Sequence, residues 1–201
     1  MENLADQFCP FYVISSVRKF FFYLDPKRTG KIQIKDMMTS PILAELYELR
    51  QQRMSPEDQV SNWFSVNSSL RVYDLYLKLD TDKDGMLKKT ELARYSPGLT
   101  QIFIDRVFEE FQTFGGEMDY KTFLDFVLAM ENKKTPQSLQ YFWRVLDVYH
   151  KGAIDTFVIN MFFRQVIQKL GTRISTEYKV DDLKDELWDM AKPASPHCIT
   201  L

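Results

Sequence analysis

The chain has 201 residues, and its 45% hydrophobic and 14% aromatic content excludes an intrinsically disordered protein. Its formal net charge of −2 argues against nucleic-acid binding through a bulk basic field, and no apolar run reaches the ~18 residues of a membrane span. Two cysteines, Cys9 and Cys198, cannot build a disulfide framework, which is typical of a reducing compartment. Seven glycines are few for a dinucleotide-binding α/β protein, and their positions are informative.

Apolar residues recur with the i, i+3, i+4, i+7 spacing of one helix face at four places along the chain. The four sets are Val17, Phe20, Phe21 and Leu24; Val72, Leu75, Tyr76 and Leu79; Ile104, Val107, Phe108 and Phe111; and Leu139, Phe142, Trp143 and Leu146. Each set ends just before a short polar stretch that contains glycine, and a second helical pattern begins after it. The repeating unit is therefore predicted to be a helix, a loop of about twelve residues, and a helix.

Residues that favour helix starts support these boundaries. Thr100 and Asp119 each precede a predicted helix as N-cap types, and Ser55 precedes a proline at the first helical position. Residues 42–66 are predicted to form a connector of two short helices, and residues 181–191 the last helix. Strands are expected only as two-residue bridges.

The loop from Asp80 to Glu91 carries carboxylates at positions 1, 3, 5 and 12, glycine at position 6 and leucine at position 8. This is the pattern of an EF-hand calcium loop. Calcium takes ~6–8 oxygen ligands in a flexible shell, and alternate side chains of such a loop converge on one point. The predicted ligands are Asp80, Asp82, Asp84, the backbone carbonyl of Met86, and Glu91. The alternative is an acidic, solvated turn that caps the helix beginning near Thr90, although loop and flanking helices match the EF-hand independently.

The first loop, Asp25–Asp36, keeps aspartate at position 1 and glycine at position 6, but Lys27 stands at position 3 and the shorter aspartate at position 12. Its basic residues oppose a divalent cation, so a metal-free structural hand is expected. The weaker candidates for metal contact here are Asp25, Thr29, Lys31 and Asp36.

The third and fourth loops are not expected to bind calcium. The third loop, residues 112–122, is one residue short of twelve and has no carboxylate at its start. In the fourth, Asp147–Val158, the ligand positions hold Tyr149, Lys151 and Val158. His150 falls at a non-ligand position and is interpreted as a solvated loop residue.

Hands of this kind usually pair through short antiparallel bridges at position 8 of their loops. The candidates are Ile32, Leu87, Met118 and Ile154. Close spacing favours pairing of the second hand with the third, or of the third with the fourth, and the sequence leaves this open.

The overall prediction is an all-α protein of four EF-hands, three of them degenerate, in one elongated or two-lobed unit. The expected parts are the first degenerate hand and connector in residues 1–66, hands two to four in residues 67–170, and a C-terminal helix and tail in residues 171–201. The aromatic run Phe20–Tyr23 is explained either by core packing or by a groove for a protein partner. Two distant histidines and the absence of phosphate-loop, CxxC and HExxH motifs indicate that the chain is not an enzyme.

Several stretches of the sequence are more specific than the general EF-hand pattern and are typical of one family. They are Asp6–Asp25, Leu24–Ile32, Asn62–Ser65, Leu79–Leu92 and Gly116–Phe126. Together they make the chain similar to the C-terminal, EF-hand-containing part of the B'' regulatory subunits of protein phosphatase 2A, and most similar to the gamma type. Family members extend further at both ends, so the chain resembles a fragment or shortened product, and its tail from Ala194 departs from the family pattern.

The resemblance implies a non-catalytic regulatory subunit that responds to calcium. Its implied partners are the HEAT-repeat scaffold subunit and the catalytic subunit of the phosphatase, and its implied role is to direct substrate choice. In that family the calcium-competent loop corresponds to the second loop here. The resemblance also implies a cytoplasmic and nuclear location, with the centrosome as a further site. The competing hypothesis is a free-standing calcium sensor that binds target helices.

Overall fold

The computed structural model describes residues 8–50, 54–171 and 179–201, which are mainly helical. The helices are α1 Cys9–Leu24, α2 Ile34–Met38, α3 Pro41–Glu48, α4 Pro56–Ser61, α5 Val66–Leu79, α6 Lys89–Leu92, α7 Gln101–Glu110, α8 Tyr120–Glu131, α9 Pro136–Leu146, α10 Thr156–Gly171 and α11 Val180–Ala191. Two strands, β1 Ala153–Asp155 and β2 Cys198–Thr200, form a small antiparallel sheet. The predicted all-α, EF-hand fold class is confirmed.

The helices begin where the capping residues predict. The side-chain oxygens of Ser55, Thr100 and Asp119 accept backbone N–H groups three residues ahead, at 3.0, 3.4 and 2.9 Å. Each of these bonds satisfies a donor that the first turn of a helix leaves without an intrahelical partner. The connector contains the two predicted short helices, α3 and α4.

The chain forms two compact units, and each unit is assembled from two separate stretches. The first unit comprises Met1–Met86 and Asp119–Leu139, and the second comprises Leu87–Met118 and Gln140–Leu201. The three-part division of the sequence stays a prediction.

The core of the first unit is organised around α8, which packs against α1 and α5. Every residue of α8 from Thr122 to Ala129 is buried, including Asp125. The aromatic run of α1 takes part in this packing, because Phe20 and Phe22 are buried and neither Phe21 nor Tyr23 is exposed. Core packing therefore accounts for the run in this unit.

Two apolar residues predicted on core faces are instead exposed, Val17 to 43% and Leu139 to 51%. In α1 a buried position is occupied by Lys19, whose ammonium donates to Glu45 Oε1 at 2.7 Å and lies 5.3 Å from the ring centre of Phe64. Burial lowers the pKa of Lys19 below its ordinary value, against the opposing effect of Glu45. A lysine paired in this way fills a core position that a hydrophobic pattern does not register.

In the second unit, α10 packs against α7, α11 and β1. Its buried residues Val158, Ile159 and Phe162 form a cluster with Ile154 of β1, and Ile199 of β2 packs against the cluster. The two strands pair with Ile154 opposite Ile199 over three residue pairs, so the expectation of bridges no longer than two residues is wrong. The position-8 residue of the fourth loop therefore pairs with the C-terminal segment.

Replacing Ile199 with aspartate is expected to release β2 from β1, because the substitution places a carboxylate against the apolar cluster around Ile154. We expect a loss of about 1–2 kcal/mol in the free energy of unfolding and faster amide exchange at Ala153–Asp155. The matched control is Leu201→Asp, because Leu201 is 67% exposed and lies just beyond the strand. Unchanged exchange at β1 in Ile199→Asp would show that the pairing contributes nothing to the fourth hand.

Candidate metal centre

The second loop begins directly after α5 and ends within the short helix α6. Its turn is built from two residues with positive φ, Lys83 at +60° and Gly85 at +81°. A side chain at Gly85 would strain this left-handed backbone even though no atom lies within 4 Å of its Cβ position. The glycine at position 6 is thus required by the conformation of the backbone rather than by a lack of space.

The first half of the loop brings three carboxylates together. Asp80, Asp82 and Asp84 each offer an oxygen, and these oxygens all lie within 4.8 Å of one another. Asp80 is buried, whereas Asp82 and Asp84 are exposed. Backbone N–H groups orient the two exposed carboxylates, from Asp84 to Asp82 Oδ1 at 3.4 Å and from Met86 to Asp84 Oδ1 at 2.9 Å. The sequence predicted this grouping, and a hard cation with a preference for oxygen fits it.

The carboxylate of Asp80 has one satisfied and one unsatisfied oxygen. Oδ2 accepts the N–H of Gly85 at 3.0 Å. Oδ1 is buried and has no hydrogen-bond partner among the described residues. An unsatisfied buried carboxylate oxygen is costly, and a bound cation beside Asp82 and Asp84 would remove that cost. The residues present therefore fit a calcium ion.

In the first and fourth loops, the aspartate at position 1 has a hydrogen bond to each of its two carboxylate oxygens. In each of them, both carboxylate oxygens of the position-1 aspartate accept backbone N–H groups, one from position 5 and one from position 6. The bonds run to Asp25 from Thr29 at 2.9 Å and Gly30 at 2.7 Å, and to Asp147 from Lys151 at 3.0 Å and Gly152 at 2.7 Å. These loops share positive φ at positions 4 and 6 with the second loop. They keep the EF-hand turn, and the backbone occupies the oxygens that a metal would use.

The weaker candidates in the first loop are held mainly by one another. The hydroxyl of Thr29 donates to Asp25 Oδ1 at 3.0 Å and lies 3.4 Å from the carbonyl oxygen of Lys31. Desolvation raises the pKa of Asp25, but the donors from Thr29, Gly30 and Lys31 together outweigh it and bring that pKa below its ordinary value. Asp36 lies in α2, where it is exposed. Arg28 of this loop extends to Asp125 of α8, with 3.1 Å between guanidinium and carboxylate.

The second half of the second loop provides the last two predicted ligands. Met86 is half-buried. Glu91 is 3% exposed, and its Oε2 accepts the N–H of Lys88 at 2.9 Å. This bond caps the first turn of α6, as glutamate does at the third position of a helix. Glu91 therefore already has a structural role in addition to the ligand role predicted for it.

Leu87 and Met118 decide the pairing that the sequence left open. They form an antiparallel bridge with two N–H to carbonyl bonds of 2.8 Å, and both side chains are fully buried. The second loop thus pairs with the third. Within the described residues, Ile32 takes part in no bridge.

The third loop replaces the calcium-binding turn with a tight hairpin. Phe114 and Glu117 face each other across Gly115 and Gly116, whose φ values are +63° and +87°. Positive φ at both central residues is typical of a type I′ turn, for which consecutive glycines are well suited. This explains how a loop that is not expected to bind calcium can still present Met118 to its partner.

Two features of the loops were missed in the sequence. His150 is largely exposed, as expected of a solvated loop residue, but its Nε2 also lies 3.3 Å from Glu110 Oε1, a partner that the sequence did not indicate. The hydroxyl of Tyr76 donates to the carbonyl of Gly85 at 2.7 Å. The only sequence signal for this bond is a tyrosine four residues before Asp80, where any large apolar side chain would satisfy the helical pattern.

The fold and the loops define an EF-hand protein in which the second loop fits calcium best. Curated relatives show more specifically which EF-hand proteins this chain is similar to. Over 202 aligned residues and 100% of this chain, it is 51% identical to the gamma-type B'' regulatory subunit of serine/threonine-protein phosphatase 2A from Xenopus tropicalis, and 49% identical to that from Homo sapiens. A probable B'' regulatory subunit of the same phosphatase from Arabidopsis thaliana, TON2, is 42% identical over all of the chain.

The chain spans 44–45% of the length of these relatives. A solved structure described as a PP2A PR70 holoenzyme, with the label diCa, superposes with a TM-score of 0.83 at 26% identity. It covers 98% of this chain, and this chain covers 73% of it. No family model matches the chain.

The chain is therefore homologous, over its whole length, to the B'' regulatory subunits of protein phosphatase 2A. The resemblance predicted from the sequence is confirmed. These relatives are regulatory and not catalytic subunits, which agrees with the prediction of a non-catalytic chain. In the described part of the chain, no helix has the length and apolar character needed to cross a bilayer.

Proposed function

We propose that the chain is a calcium-binding EF-hand region of a B''-type regulatory subunit, which binds the scaffold and catalytic subunits of protein phosphatase 2A and directs substrate choice. The observation that carries the regulatory role is homology to B'' subunits along the entire chain. The holoenzyme neighbour supports the partners, because the fold is shared over 98% of the chain. A cytoplasmic and nuclear location, with the centrosome as a further site, belongs to the proposal on the strength of the resemblance alone.

The calcium part of the proposal is supported by the unsatisfied oxygen of Asp80 beside two exposed carboxylates. We propose Asp80, Asp82, Asp84, the carbonyl of Met86 and Glu91 as ligands, as their loop positions predict. Asp80, Asp82, Asp84 and Glu91 bring four negative charges to one cation, which favours binding. The first loop, with Asp25, Thr29, Lys31 and Asp36, is proposed to be metal-free, because Asp25 has both oxygens occupied by backbone donors.

Calorimetric titration with calcium tests the stoichiometry. One ion per chain is expected, and its affinity should fall sharply in a double variant that carries Asp82→Asn and Asp84→Asn. The matched control is Asp181→Asn with Asp182→Asn, which removes the same charge from the first turn of α11. Absence of binding would overturn the proposed calcium role. Two or more ions per chain would favour the free-standing sensor, and the first loop would again be a candidate metal site.

Co-precipitation tests the partners. The purified chain is mixed with the phosphatase scaffold subunit, in calcium and in chelator, with and without the catalytic subunit. Retention on the scaffold in at least one condition is expected. If the chain is not retained in any condition while it remains folded and binds calcium, the chain alone does not act as a scaffold-binding module, and the sensor hypothesis gains.

A further inference from the structure

The side chain of Tyr76 forms a hydrogen bond with a peptide group at the centre of the second loop. Its hydroxyl donates to the carbonyl of Gly85 at 2.7 Å, and the N–H of the next residue, Met86, donates to Asp84 Oδ1 at 2.9 Å. The Gly85 carbonyl and the Met86 N–H belong to the same planar peptide unit. Fixing the carbonyl therefore also fixes the direction of the N–H that orients Asp84.

The side chain of Tyr76 is itself firmly held. It is 3% exposed, and its ring centre lies 5.0 Å from that of Tyr120 and 5.2 Å from that of Phe123. The hydroxyl of Tyr120 lies 2.9 Å from Ser15 Oγ of α1. Burial, followed by the nearby carboxylates of Asp80, Asp119 and Asp84, raises the pKa of Tyr76 far above its ordinary value, so the hydroxyl keeps its proton.

A phenylalanine at this position would satisfy the packing equally well. The ring contacts use only the aromatic carbons, and the hydroxyl contributes nothing to them. The hydroxyl instead satisfies the carbonyl of loop position 6, next to Met86, whose own carbonyl is a predicted ligand. Its distinctive contribution is therefore to the conformation of the loop. A preformed arrangement of ligands raises affinity because less ordering remains to be done on binding.

We propose that Tyr76 is a positioning residue for the second loop: its hydroxyl fixes the Gly85–Met86 peptide in the orientation that directs the carboxylate of Asp84 towards the ion. This inference rests on the proposed calcium function. Tyr76 acts through the peptide and does not contact the ion. The aromatic cluster of the first unit thereby orients this peptide of the loop.

The test compares Tyr76→Phe with the unmodified chain by calcium calorimetry and amide exchange. We expect the affinity of the variant to be weaker by roughly three- to tenfold, the range for loss of one hydrogen bond, and the Met86 amide to exchange faster without calcium. Circular dichroism should show the same helical content, because the ring contacts remain. The matched control is Tyr73→Phe, since Tyr73 belongs to the same cluster, with its ring centre 5.9 Å from that of Tyr120.

The outcomes separate this inference from the proposed function. Equal calcium affinity in Tyr76→Phe and the unmodified chain would overturn the positioning role alone, as would equal loss in Tyr73→Phe. Failure of the unmodified chain to bind calcium would overturn the calcium function and the positioning role together. Faster Met86 exchange with weaker binding in Tyr76→Phe, and neither change in Tyr73→Phe, would support it.

Discussion

Replacing Asp125 with asparagine is expected to lower the free energy of unfolding by about 2–3 kcal/mol, because it removes the negative charge that two arginines share inside the first unit. Asp125 is 1% exposed. Arg18 donates to its carboxylate through Nε at 3.1 Å, and Arg28 lies 3.1 Å from its Oδ2. Asparagine has nearly the same size, so the loss reflects charge and hydrogen bonding and not a cavity.

The size of the expected loss in the free energy of unfolding follows from how deeply Asp125 and its two arginine partners are buried. Breaking a fully buried pair by removing one partner costs about 3–5 kcal/mol, but both arginines keep some access to water, which reduces the penalty. The matched control is Glu131→Gln, since Glu131 pairs with Arg71 and both side chains are about a third or more exposed. An exposed pair of this kind contributes about 0–1 kcal/mol. Urea unfolding followed by circular dichroism measures both variants, and similar losses would contradict the special role of Asp125.

The ion pairs of Asp125 also account for the shape that the first hand is proposed to keep without a metal. Arg28, at position 4 of the first loop, connects the loop to α8 through Asp125. Backbone donors meanwhile satisfy Asp25. In Asp125→Asn we therefore expect faster amide exchange at Thr29 and Gly30 as well as lower global stability. The guanidinium of Arg28 is thus expected to contribute to the order of a loop that is proposed to bind no metal.

Local signals in the sequence predicted most of the helices. The caps at Ser55, Thr100 and Asp119 act within one turn, so the residues that form them are visible in the sequence itself. Position 8 of the loops was equally informative, because Leu87 and Met118 do pair. Local spacing could list the possible partners but not choose among them, since pairing depends on how distant segments meet.

Tertiary contacts account for what the sequence did not predict. Lys19 is buried because Glu45, 26 residues further on, accepts its ammonium protons. The pairing of Ile154 with Ile199 was missed because a strand of three residues has too little pattern to detect. Asp25 and Asp80 look equivalent at position 1 of their loops, yet only Asp80 is left with an unsatisfied buried oxygen. The two loops therefore differ in the backbone N–H groups that donate to this aspartate, and not in the aspartate side chain itself.

Replacing Glu91 with glutamine is expected to remove most of the calcium affinity, by at least about tenfold or ~1.4 kcal/mol, and to leave the helical fold intact. The substitution removes one negative charge and the bidentate carboxylate of loop position 12. The cap of α6 should survive, because a glutamine oxygen can still accept the N–H of Lys88, as Glu91 does now at 2.9 Å. This one variant can thus separate the role of Glu91 in calcium binding from its role as the cap of α6.

The matched control is Glu117→Gln, which removes the same charge from a half-buried residue whose carboxylate lies 3.7 Å from the ammonium of Lys88. Its effect on calcium affinity should be small, because it acts only through screened, longer-range attraction. Calorimetry gives the affinities, and circular dichroism without calcium checks that both variants fold. Unchanged affinity in Glu91→Gln would refute its assignment as a ligand. Lost helicity without calcium would show instead that Glu91 serves mainly as the cap of α6.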